Sequence, residues 1–219
     1  MKILIIGSEP NLEETRLKFG SKNVYTRAHN HTEARKFFQV NEVVFDFVVE
    51  NDPGQMKMYQ KTIAPVIFLG MATKSLKRLT KQIQPSSNIF FGFCGIPTFL
   101  NREVLEICLQ KEAEKGKLSE ICNALGTGYQ VVADQTGLVT PRVIGMIINE
   151  AYCTANEGIA TKEDIDLAMT LGTNYPQGPF AWGKMIGIEN IYHLLKAVYE
   201  DTGDERYRSC EMLDREAGY

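Results

Sequence analysis

The chain has 219 residues, a formal net charge of −3 at pH 7 and 44% hydrophobic residues. This length suits one large or two small domains, and the apolar content is enough for a sizeable core. Mixed acidic and basic residues without a basic block argue against nucleic-acid binding. No apolar run approaches membrane-spanning length, and the N-terminus turns polar too early for a signal peptide. We therefore expect a cytoplasmic protein without nucleic-acid or membrane partners.

The cysteines and histidines give no sign of a metal site or a disulfide framework. The five cysteines are an odd number, and none has the CxxC spacing, so we expect reduced thiols. His29 and His31 are separated by one residue, but no further ligand completes a metal site with them, so we interpret this pair as part of an ordinary polar loop. The cysteines are Cys94, Cys108, Cys122, Cys153 and Cys210.

Apolar runs alternate with helical patterns over residues 1–133. The run 2–6 ends at Gly7, as a buried parallel strand does, and 43–49 has the strongest strand pattern. This alternation predicts a mostly parallel sheet with helices on both faces. We predict strands at 2–6, 24–26, 43–49, 65–69, 88–93, 103–107 and 129–133, and helices at 11–19, 32–40, 56–62, 75–83 and 111–125.

From residue 134 onward the pattern becomes helical. Thr140 and Pro141 are typical of an N-cap and the first residue of a helix. Apolar residues then recur with a helical period in segments that each end at a glycine. These segments are 140–158, 161–172 and 188–203. We therefore predict two domains, an α/β domain over 1–133 and a helical domain over 134–219.

The helical part contains several short motifs, namely Asp134-x-x-Gly137, Arg142, Asn149-Glu150, Glu157-Gly158, Asp164-Ile-Asp166, Pro176-x-Gly178-Pro179-Phe180 and Gly187. The segment 176–180 is interpreted as a turn that contributes to packing. Together these motifs resemble the C-terminal domain of the 3-hydroxyacyl-CoA dehydrogenase family. The resemblance implies a reduced Rossmann-like N-terminal domain followed by a helical C-terminal dimerisation domain. It also implies NAD as cofactor, an acyl-CoA-like ligand from fatty-acid metabolism, and a homodimer formed through the C-terminal domain.

The turn after the first strand is where a GxGxxG fingerprint would bind the pyrophosphate of a dinucleotide. Here only Gly7 is present, and Glu9 and Leu12 occupy the other two glycine positions. Glu9 puts a negative charge near the phosphate position, and such charges repel by about 1 to 4 kcal/mol. Since Pro10 disfavours helical geometry at Glu9, we expect the helix to begin later than the motif requires. The turn is therefore predicted to be a poor site for NAD.

Two further features bear on the cofactor. We expect Glu13 and Glu14 to occupy the positive end of the first helix. The resemblance implies an acidic residue after the second strand to hold ribose hydroxyls, but this chain has Arg27 there. Arg27 could meet a 2′-phosphate, although an exposed arginine is the simpler interpretation. Gly7 and Arg27 are thus the candidate cofactor-binding residues.

Oxidation of a 3-hydroxyacyl thioester needs a base, and histidine suits this because its pKa lies near working pH. Where the family has a histidine followed by an orienting glutamate, the similar segment here holds Cys94 and Glu106. A thiol beside a carboxylate is a poor base, because the negative charge raises its pKa further. Pro141 stands in place of the family's asparagine, and Ser75 falls in its serine-containing segment. The candidate catalytic residues are Glu106, Cys94 and Ser75, each of which also has a purely structural interpretation.

Three functions remain open from the sequence. The chain is a relative of the dehydrogenases with weak or lost activity that binds an acyl-CoA-like ligand or a partner. Alternatively, it is a working dehydrogenase with a rebuilt site. The third hypothesis is a structural or regulatory dimer that binds no small molecule. The departures at Glu9, Cys94 and Pro141 argue against turnover.

Overall fold

The computed structural model describes residues 1–60, 66–81, 83 and 87–219. The chain divides into two compact units, Met1–Leu138 and Val139–Tyr219. The sequence pattern places the boundary slightly earlier, between residues 133 and 134, where the last strand has ended but the chain still contacts the first unit. The first unit contains the sheet, and the second is helical.

The first unit is built on a seven-stranded sheet with the order β2-β1-β3-β4-β5-β6-β7. Neighbouring strands are parallel except for β5 and β6, which are antiparallel. This confirms the mostly parallel, Rossmann-like sheet. The strands are β1 (Lys2–Ile6), β2 (Val24–Ala28), β3 (Val43–Asp46), β4 (Val66–Met71), β5 (Phe90–Cys94), β6 (Val104–Leu109) and β7 (Gly128–Val131).

Aromatic side chains on adjacent strands form the centre of the core. The rings of Phe45 and Phe68 stack with centroids 4.7 Å apart, and Phe93 meets Phe45 edge-on at 5.4 Å. All three side chains are buried. Burying side chains of this size contributes about 1.5 to 3 kcal/mol each, which accounts for the strength of these apolar runs as strand signals.

The helices of the first unit differ from the predicted ones at several ends. The predicted helix 32–40 is split into a helical turn and a separate 3-10 segment, and the helix predicted from 75 ends at Thr80. Residues 61–65, 82 and 84–86, which include parts of predicted elements, lie outside the described residues. The helices are α1 (Glu9–Phe19), α2 (His31–Ala34), α3 (Leu76–Thr80) and α4 (Lys115–Leu125), with 3-10 segments at Phe38–Val40, Pro53–Gln60 and Glu112–Glu114.

The prediction that α1 begins after Glu9 is wrong. Ser8 is the N-cap with extended geometry, Glu9 is the first helical residue, and Pro10 lies in the first turn. A proline there removes an N–H that has no partner within a helix, so it is tolerated. The placement of Glu13 and Glu14 at the positive end of α1 is also wrong, because the helix begins at Glu9, which is the acidic residue of its first turn. The Glu14 carboxylate instead accepts hydrogen bonds from the backbone N–H groups of Leu100 and Asn101 at 3.1 and 3.2 Å.

The second unit contains five α-helices within its fully described range, with a 3-10 segment at Glu205–Tyr207. The helices are α5 (Thr140–Asn156), α6 (Lys162–Thr173), α7 (Pro179–Ile186), α8 (Ile188–Thr202) and α9 (Glu211–Glu216). The three predicted helices are found, whereas α7 and α9 are too short for their apolar periodicity to reveal them. The segment around Pro179, interpreted from sequence as a turn, is the start of α7.

One family motif fixes the start of α7. The Asp166 carboxylate accepts hydrogen bonds from the backbone N–H groups of Phe180 and Ala181 at 2.8 and 3.0 Å. A Cβ at Gly178 would lie 2.2 Å from the Asp166 carboxyl carbon, so a side chain there would displace the cap. The acidic residue also complements the positive end of the helix. These two family-like residues therefore have an architectural role.

A second family residue, Asn149, ties α5 to the C-terminal segment. Its side-chain oxygen accepts from the Cys210 backbone N–H at 2.8 Å, and its amide donates to the Arg208 carbonyl at 3.0 Å. Asn149 is buried, so these bonds satisfy polar groups that water cannot reach.

No helix among the described residues is long and apolar enough to cross a membrane.

Candidate functional site

The carboxyl ends of β1, β3, β4 and β5 lie side by side because these four strands are parallel. The connections that follow them begin at Gly7, Phe47, Ala72 and Gly95. Ligands of open α/β sheets bind outside the carboxyl ends of the strands. The candidate site therefore comprises the side chains on this edge of the sheet.

The Gly7 turn is filled by the protein's own side chains. The Asn11 side-chain oxygen accepts hydrogen bonds from the backbone N–H of Ser8 at 2.9 Å and from its hydroxyl at 2.7 Å. A Cβ at Gly7 would lie 2.6 Å from that same oxygen. The glycine therefore makes room for Asn11, and an amide that could bind a phosphate is already used.

Glu9 and Arg27 meet at this same turn. The Arg27 guanidinium contacts the Glu9 carboxylate at 2.9 Å and Nδ1 of His29 at 2.9 Å. Arg27 is thus engaged by an acidic residue that stands in a glycine position of the fingerprint. The pyrophosphate of NAD does not fit this turn as it stands, since it would meet both the Asn11 oxygen and the Glu9 carboxylate.

Glu50 organises the connection that follows β4, and sequence reasoning missed it. Its carboxylate accepts from the backbone N–H groups of Thr73 and Lys74 at 2.8 and 2.7 Å, and from the Thr73 hydroxyl at 3.2 Å. Lys74 Nζ in turn donates to the Glu50 carbonyl at 2.8 Å. Burial raises the pKa of Glu50 above its ordinary value, although the backbone hydrogen bonds oppose this shift.

Ser75 serves as a helix cap in the same connection. Its hydroxyl accepts from the Arg78 backbone N–H at 3.2 Å at the start of α3. The Asp134 carboxylate accepts hydrogen bonds from two other backbone N–H groups of this first turn, those of Leu76 and Lys77, at 2.6 and 2.7 Å. Both side chains thus satisfy the first turn of α3.

Cys94 ends β5 in a buried position. Phe93 pairs with Ile107 in the antiparallel β5–β6 ladder, so the next position places Cys94 opposite Glu106. Burial raises the pKa of the Cys94 thiol, and the Glu50 and Glu106 carboxylates raise it further. Cys94 is therefore a neutral thiol at physiological pH, which suits neither a base nor a nucleophile.

A second set of buried polar side chains lies at the end of β3. Asp46 is 0% exposed, and its carboxylate contacts Nε2 of His31 at 2.8 Å and accepts from the Tyr59 hydroxyl at 2.9 Å. The Val48 backbone N–H donates to the other carboxylate oxygen at 3.1 Å. His31, interpreted from sequence as part of a polar loop, is instead buried. Its partner is fifteen positions away, so no local motif announces the pair.

The structure thus brings Glu106 and Glu50 each near Cys94, with Ser75 just beyond the connection that Glu50 binds. Gly7 and Arg27 belong to the separate turn that Glu9 and Asn11 occupy. No group of three or more potential metal ligands occurs among the described residues.

The helical unit has its own apolar groove of about 640 Å³. Exposed apolar side chains lie on the same helices, including Val143 on α5 and Leu167 and Leu171 on α6. Large exposed apolar surfaces of this kind mark interaction sites. Residues lining the groove include Val143, Met146, Ile147, Ile165, Met169 and Tyr207.

The comparisons with known proteins find similarity to dehydrogenases of 3-hydroxyacyl-CoA compounds. Residues 137–217 match the family described as 3-hydroxyacyl-CoA dehydrogenase, C-terminal domain. The chain is 45% identical over 86 residues to 3-hydroxyadipyl-CoA dehydrogenase of Escherichia coli, covering 39% of this chain and 18% of that protein. It is 33% identical over 187 residues to 3-hydroxybutyryl-CoA dehydrogenase of Bradyrhizobium diazoefficiens, covering 81% and 64%.

The fold is similar to that of a solved structure. The (S)-3-hydroxybutyryl-CoA dehydrogenase PaaH1 from Ralstonia eutropha superposes with a TM-score of 0.75 over 100% of this chain and 94% of that one, at 18% identity. The chain spans less than two thirds of the length of the two curated relatives, at 18% and 64%. The family match therefore covers residues 137–217, and the structural comparison shows that the similarity of fold extends over the whole chain.

Proposed function

We propose that this chain binds an acyl-CoA-like ligand or a partner and has little or no dehydrogenase activity. Its residues 137–217 match the 3-hydroxyacyl-CoA dehydrogenase C-terminal domain family, and a longer stretch of the chain is similar to a 3-hydroxybutyryl-CoA dehydrogenase. The observation that carries the proposal is the Gly7 turn. Asn11 occupies the space under Gly7, and Glu9 supplies a negative charge beside it. Since the turn does not fit NAD, we derive no reaction step through that cofactor.

The sheet edge supports the same conclusion. Efficient general-base catalysis needs a group with a pKa near working pH. Cys94, in the place of the family's histidine, is held neutral by burial and by two carboxylates. Ser75 is used as a helix cap. Neither Cys94 nor Ser75 is thus a competent base.

We also propose that two chains associate through the helical unit. The support comes from the groove and the exposed apolar residues, notably Leu171, which is 75% exposed, and Ile159, which is 69% exposed. A second copy would remove these side chains from water at a gain of about 25 cal/mol per Å² of apolar surface. Leu171→Glu is expected to shift the protein toward monomer in light-scattering measurements, whereas Leu17→Glu, at an exposed position in the first unit, should not.

Glu50 favours a second candidate, a working dehydrogenase with a rebuilt site. It is a carboxyl group with a raised pKa near Cys94, where the reactive edge of the sheet would be. Burial of this kind is how proteins adapt carboxylates to acid–base chemistry. If this candidate is correct, Glu50→Gln abolishes turnover while leaving ligand binding in place.

One set of measurements separates these functions. Thermal stabilisation by NAD, NADP, CoA and acetoacetyl-CoA should be measured, together with NADH loss at saturating acetoacetyl-CoA. Stabilisation by CoA compounds without turnover supports the proposal. Dinucleotide binding with turnover supports the rebuilt dehydrogenase, and a protein unaffected by any ligand but still dimeric supports a purely structural role.

Two variants test the site itself. Glu9→Gln with Asn11→Ala removes the charge and the side chain at the Gly7 turn, so it is expected to bind NAD more tightly than the wild type. Glu13→Gln, a charge change on the same helix outside that turn, is the matched control. Equal NAD affinity in all three proteins would contradict the idea that the turn is filled from within.

A further inference from the structure

Two cysteines of the helical unit lie beside each other without belonging to any site described so far. Cys153 is on α5 and is partly exposed, and Cys210 is the buried N-cap residue of α9. The thiols interact closely enough for Cys210 to raise the pKa of Cys153, after burial, to about 11. They are 57 positions apart in sequence, so the fold alone creates this pair.

The spacing between them is set by a rigid element. Asn149 precedes Cys153 by one helical turn and therefore shares its face of α5. Its side chain is bonded to the backbone of both Arg208 and Cys210, at 3.0 and 2.8 Å. This two-bond clamp fixes the Cys210 backbone against the helix face that carries Cys153.

We propose that Cys153 and Cys210 form an intramolecular disulfide by exchange with a low-molecular-weight disulfide such as oxidised glutathione. A disulfide needs Cα atoms less than about 7 Å apart. The Asn149 clamp holds the Cys210 backbone against the helix that carries Cys153, and the two thiols are in contact. The pair is independent of the dehydrogenase ancestry and of the dimer proposal.

The exchange proceeds in two balanced steps. The Cys153 thiolate, as the more exposed sulfur, attacks one sulfur of glutathione disulfide and breaks its S–S bond. One glutathione thiolate leaves and takes up a proton. The Cys210 thiolate then attacks the Cys153 sulfur of the mixed disulfide and releases the second glutathione. The two protein thiols are oxidised, and glutathione disulfide is reduced to two thiols.

The bond would act on a wall of the apolar groove. Arg206 and Tyr207 line the groove and lie in the segment that ends at Cys210, while Glu150 and Thr154 line it from α5. A bond from Cys153 to Cys210 fastens these two walls together. Oxidation is therefore expected to stiffen the groove and to stabilise the helical unit.

The test uses the full chain incubated with increasing oxidised glutathione at mildly alkaline pH, where more thiolate is present. Intact mass should fall by two hydrogen atoms, and non-reducing peptide mapping should join Cys153 to Cys210. The melting midpoint should rise by several degrees and return after reduction. Cys122→Ser, a change in the first unit, should behave like the wild type.

Cys210→Ser is expected to stop at a mixed disulfide between Cys153 and glutathione, with no rise in melting midpoint. Cys153→Ser should give no bond at Cys210. The proposal is overturned if the wild type keeps glutathione bound to Cys153 or forms a disulfide between two chains. It is also overturned if the folded protein stays fully reduced at a ratio of oxidised to reduced glutathione that oxidises the denatured chain. Asn149→Asp, which changes the clamp but keeps both thiols, should slow closure of the bond.

Discussion

The two units keep their family resemblance in different ways. In the helical unit the family-like residues hold the architecture together, as Asp166 does for α7 and Asn149 for the C-terminal segment. In the sheet unit the fold is kept, whereas Asn11 and Glu9 occupy the turn expected to bind a cofactor and a neutral Cys94 stands where a catalytic base is expected. The family-like motifs of the helical unit therefore serve its structure, whereas the sheet unit shares the fold without the glycines of the dinucleotide fingerprint.

The largest effect is expected from Gly178→Ala. Its new Cβ would overlap Asp166 and displace the cap of α7, so the free energy of unfolding should fall by about 2 to 4 kcal/mol. Gly172→Ala is the control, because nothing lies within 4 Å of its Cβ position on α6. It should gain up to about 1 kcal/mol in urea unfolding. Equal effects of the two changes would show that Gly178 is not architectural.

Asn149→Ala should lower the free energy of unfolding by about 2 to 3 kcal/mol. It leaves the Cys210 N–H and the Arg208 carbonyl without their partner inside the protein. Asn156→Ala, at the exposed end of the same helix, should stay within about 0.5 kcal/mol of the wild type. Chemical denaturation compares the two, and a loss at Asn156 as large as that at Asn149 would contradict the clamp.

Asp134→Ala tests the corresponding cap in the sheet unit, with an expected loss of about 1 to 2 kcal/mol. The change leaves the Leu76 and Lys77 N–H groups at the start of α3 without an acceptor. Asp134→Asn retains one side-chain acceptor and should lose less. Hydrogen exchange at the two amides provides the direct measurement. Unchanged exchange rates in Asp134→Ala would mean that Ser75 alone caps this helix.

The smallest effect concerns pH. Burial raises the pKa of Glu50 above its ordinary value of 4.5, so the folded protein binds a proton more tightly than the unfolded chain. The contribution of this group to stability is therefore fully present below the unfolded pKa and declines as pH rises through the folded value. Each unit of such a shift corresponds to about 1.4 kcal/mol.

Glu50→Gln removes that dependence. Relative to the variant, the wild type should be most stable near pH 4 and should lose this advantage as the pH rises through the raised pKa, as read from urea midpoints. Glu42→Gln, at a carboxylate with a single backbone hydrogen bond near the sheet's other edge, provides the control. A constant difference between wild type and Glu50→Gln across this range would refute the raised pKa.

Sequence patterns predicted the elements whose signal is local. The apolar runs of β1 and β3 and the period of α8 are visible without the fold, because strand and helix burial repeats along the chain. The start of α1 was missed because Pro10 is disfavoured inside a helix but tolerated in its first turn. The antiparallel direction of β6 has no local signal, since it depends on how the chain returns after β5.

The candidate site was predicted less completely for the same reason. Cys94 and Glu106 were identified from their places in a motif, and the β5–β6 register does set them opposite each other. Glu50 was missed because its partners, Thr73 and Lys74, are more than twenty residues away. Asn11 was missed because a polar residue in a first helical turn is ordinary. Its role appears only in the structure, where its side-chain oxygen takes up the space that a Cβ at Gly7 would need.

The Asp134 cap has a practical consequence for dissecting the molecule. Residues after the last strand still belong to the sheet unit, since Asp134 holds α3 and the Gly137 N–H donates to the Ala72 carbonyl at 2.8 Å. A truncation that stops at residue 133 would strip both supports from the shorter fragment. A fragment that continues through Leu138 keeps them, and it is the better starting point for expressing the two halves separately.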